Sequence, residues 1–144
     1  LVVKEGLSDY VKFAGVIPHE KLIKMYREKQ VDIVILPSII SEQGEHEGIP
    51  VSLMEAMSYG VPVISTNTGG IPELLSGGAG IIVDEKSAQQ LAEAIIRLMT
   101  DSRYSTEISE RGRLRIIEEF EIKKTCQNLL NLIQGSYHKA FVSG

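Results

Sequence analysis

The 144-residue sequence contains one cysteine, Cys126, so no disulfide can form within the chain. Cys126 stands in an apolar helical pattern, where a buried small hydrophobe is expected. No apolar run approaches the roughly 18 residues of a membrane span. Nothing resembles a secretory leader, so the expected compartment is the cytoplasm, or the inner face of its membrane. A surplus of positive charge is also missing: the net charge of −4 argues against a general nucleic-acid binder. The mixed charges from Asp101 to Cys126 read as solvated helix faces. There is no G-x-S-x-G, no P-loop and no G-x-G-x-x-G, and TNTGGIP has the wrong spacing for a dinucleotide fingerprint. His19 and His138 have no spaced partners and read as surface residues.

Apolar residues make up 43% of the chain and charged residues 24%, enough to build a core in one domain. The pattern alternates strands and helices. YVKFAG at 10–15 has strand character and ends in glycine. PHEKLIKMYREK at 18–29 sets Leu22, Met25, Tyr26 and Lys29 at helical spacing behind a proline. VDIVIL at 31–36, PVISTN at 62–67 and GIIVD at 80–84 are short, nearly continuous apolar runs, as in parallel strands buried on both faces. Ser87 and Gln90 form a capping-box pattern opening a helix to about Met99, and further helices are expected over 103–118 and 122–140. The expected fold is therefore α/β, a Rossmann-like parallel sheet flanked by helices.

Ligands of open α/β sheets bind beyond the carboxyl ends of the strands. The longest loop there, Pro37 to Pro50, leads into EGIPVSLMEAM, with two carboxylates, Glu47 and Glu55, eight positions apart. Pro50 suits the first position of a helix that runs to about Tyr59 and stops at Gly60. Glu47 then precedes the helix, Glu55 lies in its second turn, and Gly48 permits close backbone approach between them. Helix N-termini attract anions, whereas carboxylates bind hydroxyls rather than phosphate. A diphosphate with a polyol on either side is a nucleotide-sugar, which would use both features. Each carboxylate also has a plainer reading, since a Glu near a helix start is favourable without a ligand. Glu42, Glu45, His46 and Glu47 form an acidic cluster that could bind a cation, but a flexible solvated loop is the preferred reading.

The stretches VKFAGVIPHEKLIKMYREKQVDIVILPS, EGIPVSLMEAMSYGVPVIST, GGIPELL and GIIVDEKSAQQLAEAIIRLM, in this order, resemble the C-terminal, donor-binding domain of retaining GT-B glycosyltransferases of group 1, the GT4-type family. The E-G-I-P variant resembles members that build bacterial surface polysaccharides. The resemblance implies residues 1–144 to be part of a donor-binding domain, the C-terminal half of a GT-B fold without its acceptor domain. It implies that Glu47 is the catalytic carboxylate at the transferred sugar and that Glu55 binds the ribose. Gly48, Ile49, Pro50 and Val51 would face the sugar and diphosphate, Val16 and Ile17 the nucleobase, and Gly69 and Gly70 the cleft edge, where a tight turn explains the pair equally well. No metal or other cofactor is implied, and the sequence has no D-x-D of a metal-dependent GT-A transferase.

Two departures stand out. Many relatives have Gly where Pro50 removes one N–H donor, and the basic pair that the family places upstream is not in this sequence. The chain alone is therefore expected to be inactive and to self-associate through an exposed sheet edge. A GT-B-fold sugar-nucleotide epimerase and a non-catalytic nucleotide-sugar-binding module are the other readings.

Overall fold

A computed structural model describes residues 1–40 and 48–142, with side chains outside 135–142. It divides into two units, Leu1–Gln30 and Val31–Gly144.

In the first unit, Pro18 with φ −56° leads into α1 (His19–Arg27), with Glu20 in the first turn and Lys24 and Arg27 in the last, the order that the helix dipole favours. Lys29 closes the helix with φ 55°, and the N–H groups of Lys29 and Gln30 donate back to the carbonyls of Tyr26 and Met25. The stretch YVKFAG is not a strand. A strand needs a neighbouring backbone to satisfy its polar groups. Among the described residues, its only backbone bonds from N–H groups run from Tyr10 and Val11 to the Leu7 carbonyl, and Phe13 is left 85% exposed.

Among the described residues the second unit holds three parallel strands, β1 (Val34–Leu36), β2 (Val63–Thr66) and β3 (Ile81–Val83), in the order β1-β2-β3. Val34 pairs with Val63, and Ile64 with Ile81. All three strands are shorter than the apolar runs that contain them. Only the central strand β2 is buried at every residue. β1 and β3 are edge strands, with Ile35 38% and Ile82 39% exposed, so the expectation of burial on both faces fails at both.

The helices are α2 (Val51–Ser58), the short α3 (Ile71–Leu74), α4 (Ala88–Thr100), α5 (Ser102–Glu119) and α6 (Ile122–Val142). Because side chains alternate along a strand, β2 has apolar residues on both faces. Ile64 joins Val83, Ala94, Leu98 and Ile108 in a core beneath α4 and α5. Val63 points to the other layer, near Leu75 at Gly80, and α2 packs against β1 and β2. α5 reaches both layers: Ile108 enters the α4 core, while Gly112 lies so near α2 that an added Cβ would be 3.6 Å from Met57 and 2.8 Å from the Ala79 carbonyl. Cys126 is exposed, contrary to expectation, as is every residue from 121 to 134. The apolar stripe of α6 has no covering element among the described residues, so periodicity there does not translate into burial.

Asp101 ends α4 and caps α5, where its Oδ1 accepts from the Tyr104 N–H at 2.9 Å. Asp101→Ala should destabilise the chain by about 1 kcal/mol, read from the urea midpoint, and Asp101→Asn should retain most of that stability.

Candidate functional site

The sequence dictates α2 at both ends. Pro50 stands just outside the helix with φ −68° and ψ 120°, as its N-cap rather than its first residue. Gly60 ends it with φ 73°: the N–H groups of Gly60 and Val61 return to the carbonyls of Met57 and Ala56, a closure needing a left-handed residue. Leu53, Ala56 and Met57 anchor the helix in the core. Its opening faces outward, with Val51 62% exposed. The first N–H to find a carbonyl within the helix is that of Leu53, which donates to Pro50 at 3.2 Å. Val51 and Ser52 therefore present N–H groups that the helix cannot satisfy, at its positive end. Glu55 is half-buried one turn further in. Glu47 lies outside the described residues, as do Glu42, Glu45 and His46.

Gly69 and Gly70 meet the approach to α2. The Gly70 N–H donates to the Gly48 carbonyl at 3.2 Å. A Cβ at Gly70 would lie 2.7 Å from Ile49 Cγ1 and 3.0 Å from the Gly48 carbonyl atoms, and Gly69 has φ 53°. The pair therefore acts as a tight turn and a backbone contact, with the Gly70 N–H already engaged. An added Cβ at Gly48 would meet nothing within 4 Å. Between these two segments, the glycine that a side chain would displace is Gly70. Val16 and Ile17 lie in the irregular segment before α1 in the first unit, Val16 98% exposed.

Other groups at the carboxyl ends of the strands escape motif reading. Ser65 Oγ donates to the Leu36 carbonyl and Thr66 Oγ1 to the Ser38 carbonyl, each at 2.5 Å. The Ile40 N–H donates to Glu85 Oε2 at 3.0 Å. The one available signal was two hydroxyl residues inside an otherwise apolar run. The expected capping box is half-formed. Ser87 Oγ accepts from the Gln90 N–H at 3.4 Å, but the Gln90 side chain turns to Asp84, whose N–H and carboxylate give it two bonds. A cavity of ≈ 230 Å³ opens here, lined by Pro37, Ile39, Thr66, Lys86 and Leu91. A larger, mostly apolar cleft of ≈ 550 Å³ lies beside the edge strand, between Ile33, Ile35 and α4. Among the described residues no three His, Cys, Asp or Glu side chains group as metal ligands, and no helix is long and apolar enough to cross a membrane.

A parallel sheet covered on both faces, with its loops gathered at the strands' carboxyl ends, is the architecture of the C-terminal domain of GT-B glycosyltransferases. The C-terminal domain of the group 1 glycosyl transferase LpcC from Francisella tularensis matches 84% of the chain at 29% identity and a TM-score of 0.69, the chain covering 59% of that structure. Anabaena Alr3699/HepE, solved with UDP-glucose, shares the fold over 93% of the chain, with a TM-score of 0.76 at 22% identity and 35% of its own length covered.

The family profile of glycosyl transferases group 1 matches residues 1–115, and the chain belongs to that family. The putative colanic acid biosynthesis glycosyltransferase WcaL of Salmonella typhimurium is 37% identical over 139 residues, 93% of this chain and 33% of that protein. The chain spans about a third of the length of the curated relatives it matches.

Proposed function

We propose that the chain forms the nucleotide-sugar site of a retaining glycosyltransferase in polysaccharide or glycolipid synthesis. The observation that carries this is the opening of α2: N–H groups without helical partners at Val51 and Ser52, beyond the sheet's carboxyl end, with half-buried Glu55 one turn inside. The helix end receives the diphosphate, backed by Gly48 and Ile49, and Glu55 takes the ribose hydroxyls. Glu47 takes hydroxyls of the transferred sugar. UDP-glucose bound to HepE, and the polysaccharide role of WcaL, support the substrate class.

Transfer belongs to the longer polypeptide, because an acceptor must be held opposite the donor. A saturation-transfer NMR screen of UDP-, GDP- and ADP-sugars tests the reading. One nucleotide class should give transfer signals at ribose and sugar protons with the complete enzyme. The 144-residue chain should bind the same class more weakly and turn none over. No signal from any class with the complete enzyme would remove the donor assignment.

A further inference from the structure

The chain returns from α3 to β3 through a turn at the amino ends of the parallel strands, the opposite end of the sheet from the opening of α2. Ser76, Gly77 and Gly78 form this turn, with φ 68° at Gly77 and 76° at Gly78. A cavity of ≈ 260 Å³ lies between the turn and α5, lined among others by Ser76, Gly77, Arg111, Leu114, Arg115 and Glu118. The four α5 positions recur at helical spacing, so they share one face. We propose that this cavity is an anion site that takes a phosphate group, of a soluble ester or of a lipid headgroup, through Arg111 and Arg115.

Arg115 has no anionic partner. Its Nη2 donates to the Glu73 carbonyl at 3.0 Å, its Cζ lies 5.6 Å from the centre of the Phe120 ring, and its Nε is buried without an acceptor. Among the described residues no carboxylate pairs with it. A carbonyl and a ring offset only part of the cost of a partly buried cation, and the surroundings omit the opposite charge. The planar guanidinium fork matches the oxygens of a phosphate. Arg111, one turn earlier, pairs with Glu107 at 2.5 Å, and both are about half exposed. A Cβ at Gly78 would lie 2.8 Å from Arg111 Nη1, so the glycine turn makes room for this guanidinium. Ser76 adds an exposed hydroxyl. Each arginine has a local task, but neither task requires both to line one cavity. Glu118 lines it too, and its charge limits the affinity for an anion. Leu114 and Ile117, neighbours on α5, are 53% and 51% exposed, an apolar margin that the chains of a lipid could use.

The test titrates inorganic phosphate into the complete enzyme, isotope-labelled at glycine, at constant ionic strength. The Gly77 and Gly78 amides should shift saturably. Gly48 and Gly70 report the opening of α2 in the same spectra, so this site stands or falls apart from the donor reading. Arg111→Gln should weaken the Gly77 and Gly78 titration about fivefold. Arg115→Lys keeps the charge but loses the fork, and should weaken it about as much. Glu118→Gln should tighten it about twofold. Flotation with vesicles of phosphatidylglycerol and phosphatidylcholine separates the two sources. Vesicle binding that Arg111→Gln weakens marks a lipid headgroup, whereas phosphate saturation without vesicle binding marks a soluble ester. Shifts at Gly77 and Gly78 that never saturate, that both arginine variants leave unchanged, or that Glu118→Gln weakens would overturn the proposal.

Discussion

Gly70→Ala should destabilise the chain by about 2 kcal/mol and strip it of donor binding, although it adds a single methyl group. At Gly70 that carbon would meet Ile49 Cγ1 at 2.7 Å and the Gly48 carbonyl carbon and oxygen at 3.0 Å. A side chain can turn aside, but the Gly48 backbone can give way only by moving the approach to α2. The same movement breaks the 3.2 Å bond from the Gly70 N–H to that carbonyl. The melting temperature should fall by roughly 4–8 °C, and donor titration should show weaker binding than the stability loss explains. Gly48→Ala is the matched control. It has open space for the new methyl, so its effect on stability should stay within about 0.5 kcal/mol. Equal effects from the two substitutions would mean that the contact between the glycine turn and the α2 approach is not what fixes the site.

Glu47→Gln and Glu55→Gln in the complete enzyme should separate the two carboxylates by kinetic parameter. Each change preserves size and removes a charge-assisted acceptor, a loss of about 1.5–3 kcal/mol, or roughly 10- to 150-fold. On the proposed reading, if the contact of Glu47 with the transferred sugar strengthens in the transition state, Glu47→Gln should lower kcat and kcat/KM together. The ribose lies away from the reacting carbon, so Glu55→Gln should raise donor KM and leave kcat nearly unchanged. Glu55 is half-buried in α2, whose core face is Leu53, Ala56 and Met57, so a melting curve must accompany its kinetics. Small and equal effects at both positions would return the two residues to ordinary surface carboxylates.

How far the sequence was legible depended on whether each signal was local. β2 and β3 lie inside the apolar runs that announce them, and α2 begins and ends where Pro50 and Gly60 force it to. These are properties of a few consecutive residues. YVKFAG has strand composition, but a strand also needs a partner, and composition does not supply one. Cys126 has core periodicity on a helix whose described side chains are exposed, so the pattern was right and the burial was not. At the site, the positions of Glu55 and Val51 on α2 followed from the proline. The steric demand at Gly70 did not, because it depends on a contact with Gly48 and Ile49 across a crossover. The bonds from Thr66 and Glu85 escaped for the same reason. Residues that bind by type and spacing can be read from a motif, whereas those that aim the motif come from elsewhere in the chain.

The reach of α5 across both layers also sets an order of events during synthesis. Met57, on the buried side of α2, meets Gly112 of α5, some 55 positions later in the chain. Translation at about 5–20 residues per second puts roughly 3–11 s between the emergence of the two. For that interval the ribosome displays β1, α2 and β2 with the α5-facing side of α2 bare, while α4 and α5, joined at Asp101, can pair as soon as both are out. The Met57 side of α2 thus stays uncovered until α5 is made, so a nascent chain stalled before α5 should be the species that chaperones hold.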